Sequence, residues 1–142
     1  MSVRLEHANL IVRDVDATIS FLQTAFPDFK IRHDSLESNP DDDRWVHIGL
    51  DETYLALNQA TAEPGEPWKP YAGRPGVNHL GFEVDDADAL RERMLAAGYQ
   101  ESTPANNHPA RKRVYFYDAD GNDWEFVEYL TDDQRKRHDY SS

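Results

Sequence analysis

The 142-residue chain contains no cysteine, which excludes disulfides and thiolate zinc sites and leaves His, Asp and Glu as the side chains able to hold a metal ion. It is also poor in positive charge: 15 Lys and Arg stand against 27 Asp and Glu, for a net charge of -12. Such a surface repels phosphate backbones, and the basic residues gather only in short clusters such as Arg111-Lys112-Arg113, so no nucleic acid partner is expected. No apolar run approaches the roughly 20 residues that cross a bilayer, and the first ten residues lack the basic-then-apolar order of an export signal. No membrane partner and a cytoplasmic address are therefore expected. The acidic stretch SLESNPDDD at 35–43 lacks the spaced oxygen ligands and the glycine of a calcium loop, and reads as a solvated segment.

What the chain does contain is a repeat. EHANLIVRDVDATISFLQTAF at 6–26 and NHLGFEVDDADALRERMLAAG at 78–98 align with a shift of 72 positions, matching His7 to His79, Val12 to Val84, Asp14 to Asp86, Asp16 to Asp88, Ala17 to Ala89 and Ala25 to Ala97. Each copy opens with a short apolar strand, passes an Asp suited to capping a helix (Asp14 or Asp86), and enters a helical pattern ending at Phe26-Pro27 or Gly98. Strand-like runs follow: FKIRHD, RWVHIGL and TYLALNQ in the first half, YQEST, RVYFYD and DWEFVEY in the second.

The unit is βαβββ, used twice. Four prolines in 59–76 exclude a central strand or helix there. A single domain over 1–142 is expected, with one module at about 1–58, a linker at 59–76, a second module at about 77–130 and a C-terminal tail at 131–142. Trp68 and Tyr71 in the linker read either as a lid over a site or as anchors of the linker on the core.

Residues two apart on a strand face the same way, so His7 shares a face with Asn9 and Ile11, and Glu125 with Val127 and Tyr129. Taken singly, each polar residue reads as a hydrogen-bonded structural group. Taken together they read differently, because two related half-chains place a His at the same position and the final strand adds a carboxylate. His7, His79 and Glu125 are then three ligands for a first-row metal, and they leave a divalent ion with open coordination positions for a substrate. Fe, Mn, Ni, Zn and Co all accept this donor set. His33 and His47 read as structural or surface residues.

The doubled βαβββ pattern, with a His on the first strand of each half and DADGNDWEF near the end, resembles the vicinal oxygen chelate superfamily. That superfamily includes glyoxalase I, bleomycin-resistance proteins and extradiol ring-cleaving dioxygenases. The resemblance implies an α+β fold in which two tandem βαβββ modules form curved mixed sheets around a cleft, with metal ligands on the first and last strands, at His7, His79 and Glu125. The fourth ligand position of glyoxalase I falls at Ala56, which cannot ligate. The remaining two-His-one-Glu set resembles the facial triad of the extradiol enzymes.

The signature of those enzymes runs His, five to seven residues, an apolar residue, Tyr, two residues, an acidic or amide residue, Pro, one residue, Gly, two or three residues, Glu. Here His108, Val114, Tyr115, Asp118, Gly121 and Glu125 fall at its spacings, Asn106 fits two places before the His, and Ala119 stands where Pro is usual. The resemblance makes His108 a catalytic acid-base and Tyr115 a catalytic hydrogen-bond donor to a substrate oxygen. The residues alone read equally as an exposed loop His and a packed aromatic.

The expected function is that of a metal-dependent enzyme with a two-His-one-Glu centre that activates a small vicinal-oxygen substrate, extradiol ring cleavage included. A glyoxalase-like lyase or isomerase comes second and a non-catalytic, drug-resistance-type binder third. The partner is a small molecule, and the site closes either within one chain or across a homodimer.

Overall fold

In the computed structural model, which describes residues 2–141, the chain forms two compact units, Met1–Pro67 and Trp68–Ser142, whose boundary falls inside the proline-rich segment. The first unit runs β1 (His7–Val12), α1 (Val15–Ala25), β2 (Lys30–Asp34), a single 3₁₀ turn (Ser35–Glu37), β3 (Trp45–Gly49) and β4 (Tyr54–Gln59). The second runs β5 (His79–Glu83), α2 (Ala87–Ala96), β6 (Asn106–His108), β7 (Arg111–Tyr117), β8 (Asp123–Tyr129) and α3 (Gln134–Arg137). Each unit holds one four-stranded mixed sheet, ordered β1-β4-β3-β2 or β5-β8-β7-β6. In both, the first strand pairs parallel with the last and the other pairs are antiparallel. The architecture is the expected α+β doubling of βαβββ.

The same local devices set both helices. Asp14 caps α1 by accepting from Ala17 N (3.2 Å), and Asp86 caps α2 by accepting from Ala89 N (2.9 Å). The first helical amide is bound each time by a side chain of the last strand: Val15 N donates to Gln59 Oε1 (3.2 Å) and Ala87 N to Glu128 Oε1 (2.9 Å). These bonds satisfy amides that have no partner inside the helix and fix where each helix leaves its sheet. One sheet face is covered by the helix. Val46, Ile48, Leu55 and Leu57 are buried with Val15, Ile19 and Leu22 in the first unit, and Val114, Phe116, Trp124 and Phe126 with Leu90 and Met94 in the second. Strand alternation sends His7, Asn9 and Ile11, and likewise His79 and Glu125, to the opposite face.

Two expectations for the second unit are corrected. The strand expected in YQEST is reduced to one bridge, Glu101 to Phe116, and the segment NNH, expected as a polar loop, is strand β6. Both stretches run beside β7, but Pro104 lies between them and has no amide to donate, so the edge breaks there and resumes two residues out of step. The tail is also structured: Arg111 Nη1 donates to Arg137 O (2.9 Å) and Asp139 O (3.0 Å), and the Arg137 guanidinium lies over the Tyr129 ring at 4.6 Å.

The DADGN turn between β7 and β8 is organised by one buried carboxylate. Asp118 accepts from Asp120 N (2.8 Å), Asn122 N (3.0 Å), Asn122 Nδ2 (3.1 Å) and the buried Trp124 Nε1 (3.0 Å). Gly121 closes the turn at φ 80°, a conformation that favours glycine. Hydrogen bonds to a charged acceptor stabilise by about 1.5–3 kcal/mol, and a buried donor left unpaired costs a similar amount. Asp118→Ala is therefore expected to lower stability by about 2–4 kcal/mol, and Asp118→Asn, which keeps one acceptor, by less. Urea denaturation followed by Trp fluorescence checks both, and equal losses in the two variants would contradict the hub role.

Candidate functional site

The parallel β5–β8 pair sets His79 beside Asp123 and Gly81 beside Glu125. His79 Nε2 and Glu125 Oε2 lie 3.0 Å apart, and Tyr115, directly across from Glu125 on β7, donates its hydroxyl to Glu125 Oε1 at 3.2 Å. Gly81 contributes no side chain, so β5 leaves the space over the carboxylate clear: a Cβ built there would approach Glu125 Oε2 only to 3.9 Å. Burial, then the Glu125 charge, pushes the Tyr115 phenol up to about 12, so it remains a proton donor throughout the neutral range. His79 Nδ1 is engaged from the linker side, by Asn78 Nδ2 at 3.1 Å and the Tyr71 hydroxyl at 3.4 Å, and the Tyr71 ring stacks over the imidazole with centroids 6.1 Å apart.

Tyr71 is the one non-glycine residue with positive φ (62°) among the described residues, and Asn78 Oδ1 holds its amide at 2.7 Å. Burial of the hydroxyl end, then the charge of Asp123, raises the phenol pKa. Trp68 has a different role. Its ring packs on Gly76, within the linker itself, where an added Cβ would meet it at 2.9 Å. The linker's two aromatics thus part company, one beside His79 and one packed within the linker.

In the first unit His7 holds the position equivalent to His79. Its Nδ1 lies 2.9 Å from Glu6 Oε1, and its ring stacks on Tyr54 with centroids 4.9 Å apart. Glu6 also accepts from Tyr54 OH (3.2 Å), and these two hydrogen bonds, His7 foremost, hold its carboxyl below the usual range. In β4 the register sets Ala56 opposite Asn9, two residues after His7, which is the place Glu125 takes opposite Gly81, two after His79. Ala56 thus fills the Glu125 position with a methyl group.

The same comparison finds a residue that sequence reading passed over. His47 pairs with Ala56 as Tyr115 pairs with Glu125, so it lies on the His7 face. Burial, then the charges of Arg32, His33 and His7, lowers its pKa and keeps the imidazole neutral. Rings continue from it across the sheet, His47 to Tyr54 at 4.9 Å, Trp45 to His47 at 5.0 Å and His33 to Trp45 at 4.4 Å, while the Arg32 guanidinium sits 4.4 Å from the Tyr54 centroid. Period-2 alternation in WVHIG could have signalled this face, had the pairing partner of each strand been known.

Of the residues expected to act together, the second unit joins His79, Glu125 and Tyr115. His108 is not brought to them. It pairs with Arg111 at the other end of β7, four residues or about 13 Å from Tyr115 along the strand. There its Nδ1 accepts from Ala110 N (3.1 Å), and its side chain lines a cavity with Pro109, Ala110, Thr131, Lys136 and Asp139, against the C-terminal segment. Neither unit by itself, among the described residues, gathers three His, Asp or Glu side chains fit to hold a metal.

The sequence profile of the Glyoxalase/Bleomycin resistance protein/Dioxygenase superfamily matches residues 4–126. No curated protein sequence matches the chain. Among solved structures, the glyoxylase/bleomycin resistance protein/dioxygenase domain from Frankia sp. EAN1pec is 24% identical, covers 98% of this chain and 100% of its own, and superposes with a TM-score of 0.75. The fosfomycin resistance protein FosX from Mesorhizobium loti is 24% identical over 89% of this chain and 91% of its own, with a TM-score of 0.66. A Glu-to-Gln variant of FosX from Listeria monocytogenes, in complex with Mn(II) and 1S,2S-dihydroxypropylphosphonic acid, is 22% identical over 95% of this chain and 98% of its own, with a TM-score of 0.73. With the profile spanning both βαβββ units, the chain belongs to the glyoxalase/bleomycin resistance protein/dioxygenase superfamily.

Proposed function

We propose that this protein is a metal-dependent enzyme of the glyoxalase type, in which His79, Glu125 and His7 hold one divalent cation that binds a small substrate through two neighbouring oxygens. The observation that carries the reading is the 3.0 Å approach of His79 Nε2 to Glu125 Oε2, with Tyr115 on the other carboxylate oxygen. An imidazole nitrogen and a carboxylate meeting across adjacent strands fit a cation, which takes the place of the one proton now between them. His7 is the third ligand, from the first unit of the same chain or of a second copy. Mn(II) and a vicinal diol phosphonate in a FosX relative of the same fold support this choice of metal class and substrate geometry.

A bound divalent ion would supply Lewis acidity toward the substrate oxygens. The chain's own groups do the rest. Glu125 neutralises charge and is oriented by the Tyr115 hydroxyl, which stays protonated and able to donate to an oxygen that gains charge. Ala56 brings no fourth ligand, so positions would stay open for substrate. The extradiol reading needs an acid-base near Tyr115, and His108 lies about 13 Å along the strand from it. Non-oxidative chemistry on a vicinal-oxygen substrate is accordingly favoured over ring cleavage.

Wild-type protein is expected to bind one Mn(II) per chain with micromolar or better affinity by calorimetry. His7→Ala, His79→Ala and Glu125→Gln should each weaken binding by more than the roughly 10- to 100-fold typical of losing an outer-shell partner. Failure of the wild type to take up any divalent metal sinks the reading. Oxygen consumption with catechols, unaltered by His108→Phe, would instead restore the dioxygenase assignment with a different proton carrier.

The raised Tyr115 pKa yields a separate test. An unfolded tyrosine ionises near 10.0 and the folded Tyr115 near 12, so the unfolded chain loses this proton first. The contribution is complete below pH 10 and is lost as pH rises toward 12. Stability of the wild type should fall more steeply across that window than that of Tyr115→Phe, measured by urea denaturation at stepped pH. Parallel slopes would contradict the buried, Glu125-bonded placement.

A further inference from the structure

Asn78 reveals where the proton on His79 lies. Its Oδ1 accepts from the Tyr71 amide at 2.7 Å, so the group facing His79 Nδ1 at 3.1 Å is the amide NH2, a donor. Nδ1 must therefore offer a lone pair, and the imidazole proton sits on Nε2, donated to Glu125 Oε2. A metal at Nε2 is incompatible with that tautomer. Once Nε2 ligates, the proton belongs on Nδ1, where it confronts the Asn78 NH2, and turning the amide over only moves the conflict to the Tyr71 N–H. The ring then needs another acceptor, as metal-bound imidazoles nearly always have.

The Tyr71 hydroxyl oxygen, 3.4 Å from Nδ1, is in place to be that acceptor, provided its own proton can go elsewhere. A destination exists. Asp123 is 2% exposed, Ser102 Oγ donates to its Oδ1, and its Oδ2 is buried without a hydrogen-bond partner among the described residues. Its charge already acts on the Tyr71 phenol, and so does a hydrogen-bonding approach between the two side chains that is too loose to count as a formed bond. A buried carboxylate oxygen left unpaired is costly, and a hydroxyl turning toward it removes that cost. The left-handed backbone of Tyr71, held by Asn78, is what keeps the ring over His79.

Resting on the metal-centre reading above, we infer that Asp123, Tyr71 and His79 form a relay selecting the metal-binding tautomer: on loading, His79 Nδ1–H donates to Tyr71 Oη and Tyr71 O–H donates to Asp123 Oδ2. Tyr71 and Asp123 are positioning residues that act through His79. The imidazole stays neutral throughout: the proton that the metal displaces from Nε2 is matched by one taken up at Nδ1 through exchange with solvent, and the Tyr71 hydroxyl only rotates.

Tyr71→Phe keeps the ring and its stacking while removing the hydroxyl alone. It should weaken Mn(II) binding by roughly 10-fold or more. Asp123→Asn should weaken it similarly, and the double variant should be little worse than either single one, because both remove the same relay. Independently of affinity, 15N NMR of His79 should show the proton on Nε2 in metal-free protein, with or without the Tyr71 hydroxyl, and on Nδ1 in the Zn(II)-loaded wild type. Tyr71→Phe binding Mn(II) within about twofold of wild type would overturn the inference while leaving the metal site standing; so would additive losses in the double variant. A wild type that takes up neither Mn(II) nor Zn(II) overturns both together.

Discussion

The register of the parallel β5–β8 pair is the constraint on which the second unit's chemistry depends. Set His79 beside Asp123, and Gly81 must fall beside Glu125, bringing an imidazole, an uncovered carboxylate and a buried acid into one small volume. A slip by one residue would turn all of them into the face that α2 covers, where Trp124 and Phe126 now pack. Two features pin the register from opposite ends of β8. The Asp118 turn delivers the strand at one end, and Glu128, bonded to the first amide of α2, ties the other end to the helix that follows β5. The site is thus held by elements that never touch it.

Comparing the halves shows how one scaffold was put to two uses. Gln59 and Glu128 do the same structural work at the helix N-termini, and Asp14 and Asp86 the same capping. The open faces differ. Where the second unit has Glu125 and Tyr115, the first has Ala56 and His47, so it offers His7 and a row of rings with Arg32 in place of a carboxylate. Among the described residues, neither half by itself gathers three side chains fit to hold a metal.

His108 and Tyr71 illustrate how a sequence motif and a site can diverge. His108 satisfies the spacing of a catalytic signature, yet β6 pairs it with Arg111, and the C-terminal segment meets it there. Tyr71 satisfies no motif, because it lies in a proline-rich linker. It reaches the site because Asn78, next to His79, captures its amide and holds a backbone conformation few side chains adopt.

The sequence by itself determined the doubled βαβββ plan, the capping aspartates, the turn at DADGN and the pairing of His7 with His79 by position, since all of these are written in local patterns: periodicity, cap residues, glycine in a tight turn and a repeat. It also placed Ala56 at the fourth ligand position, and Tyr115 and Glu125 at the spacings of one signature. Pairing between distant segments settled which strand lies beside which, and so that His47 stands in the place of Tyr115, that Pro104 moves the edge strand from YQEST to NNH, and that His108 lies about 13 Å from Tyr115 along β7. Alternation along a strand tells which side a residue faces; the company it keeps on that side depends on pairing between segments far apart in the chain, and hydrogen bonding across the sheet, not local propensity, sets it.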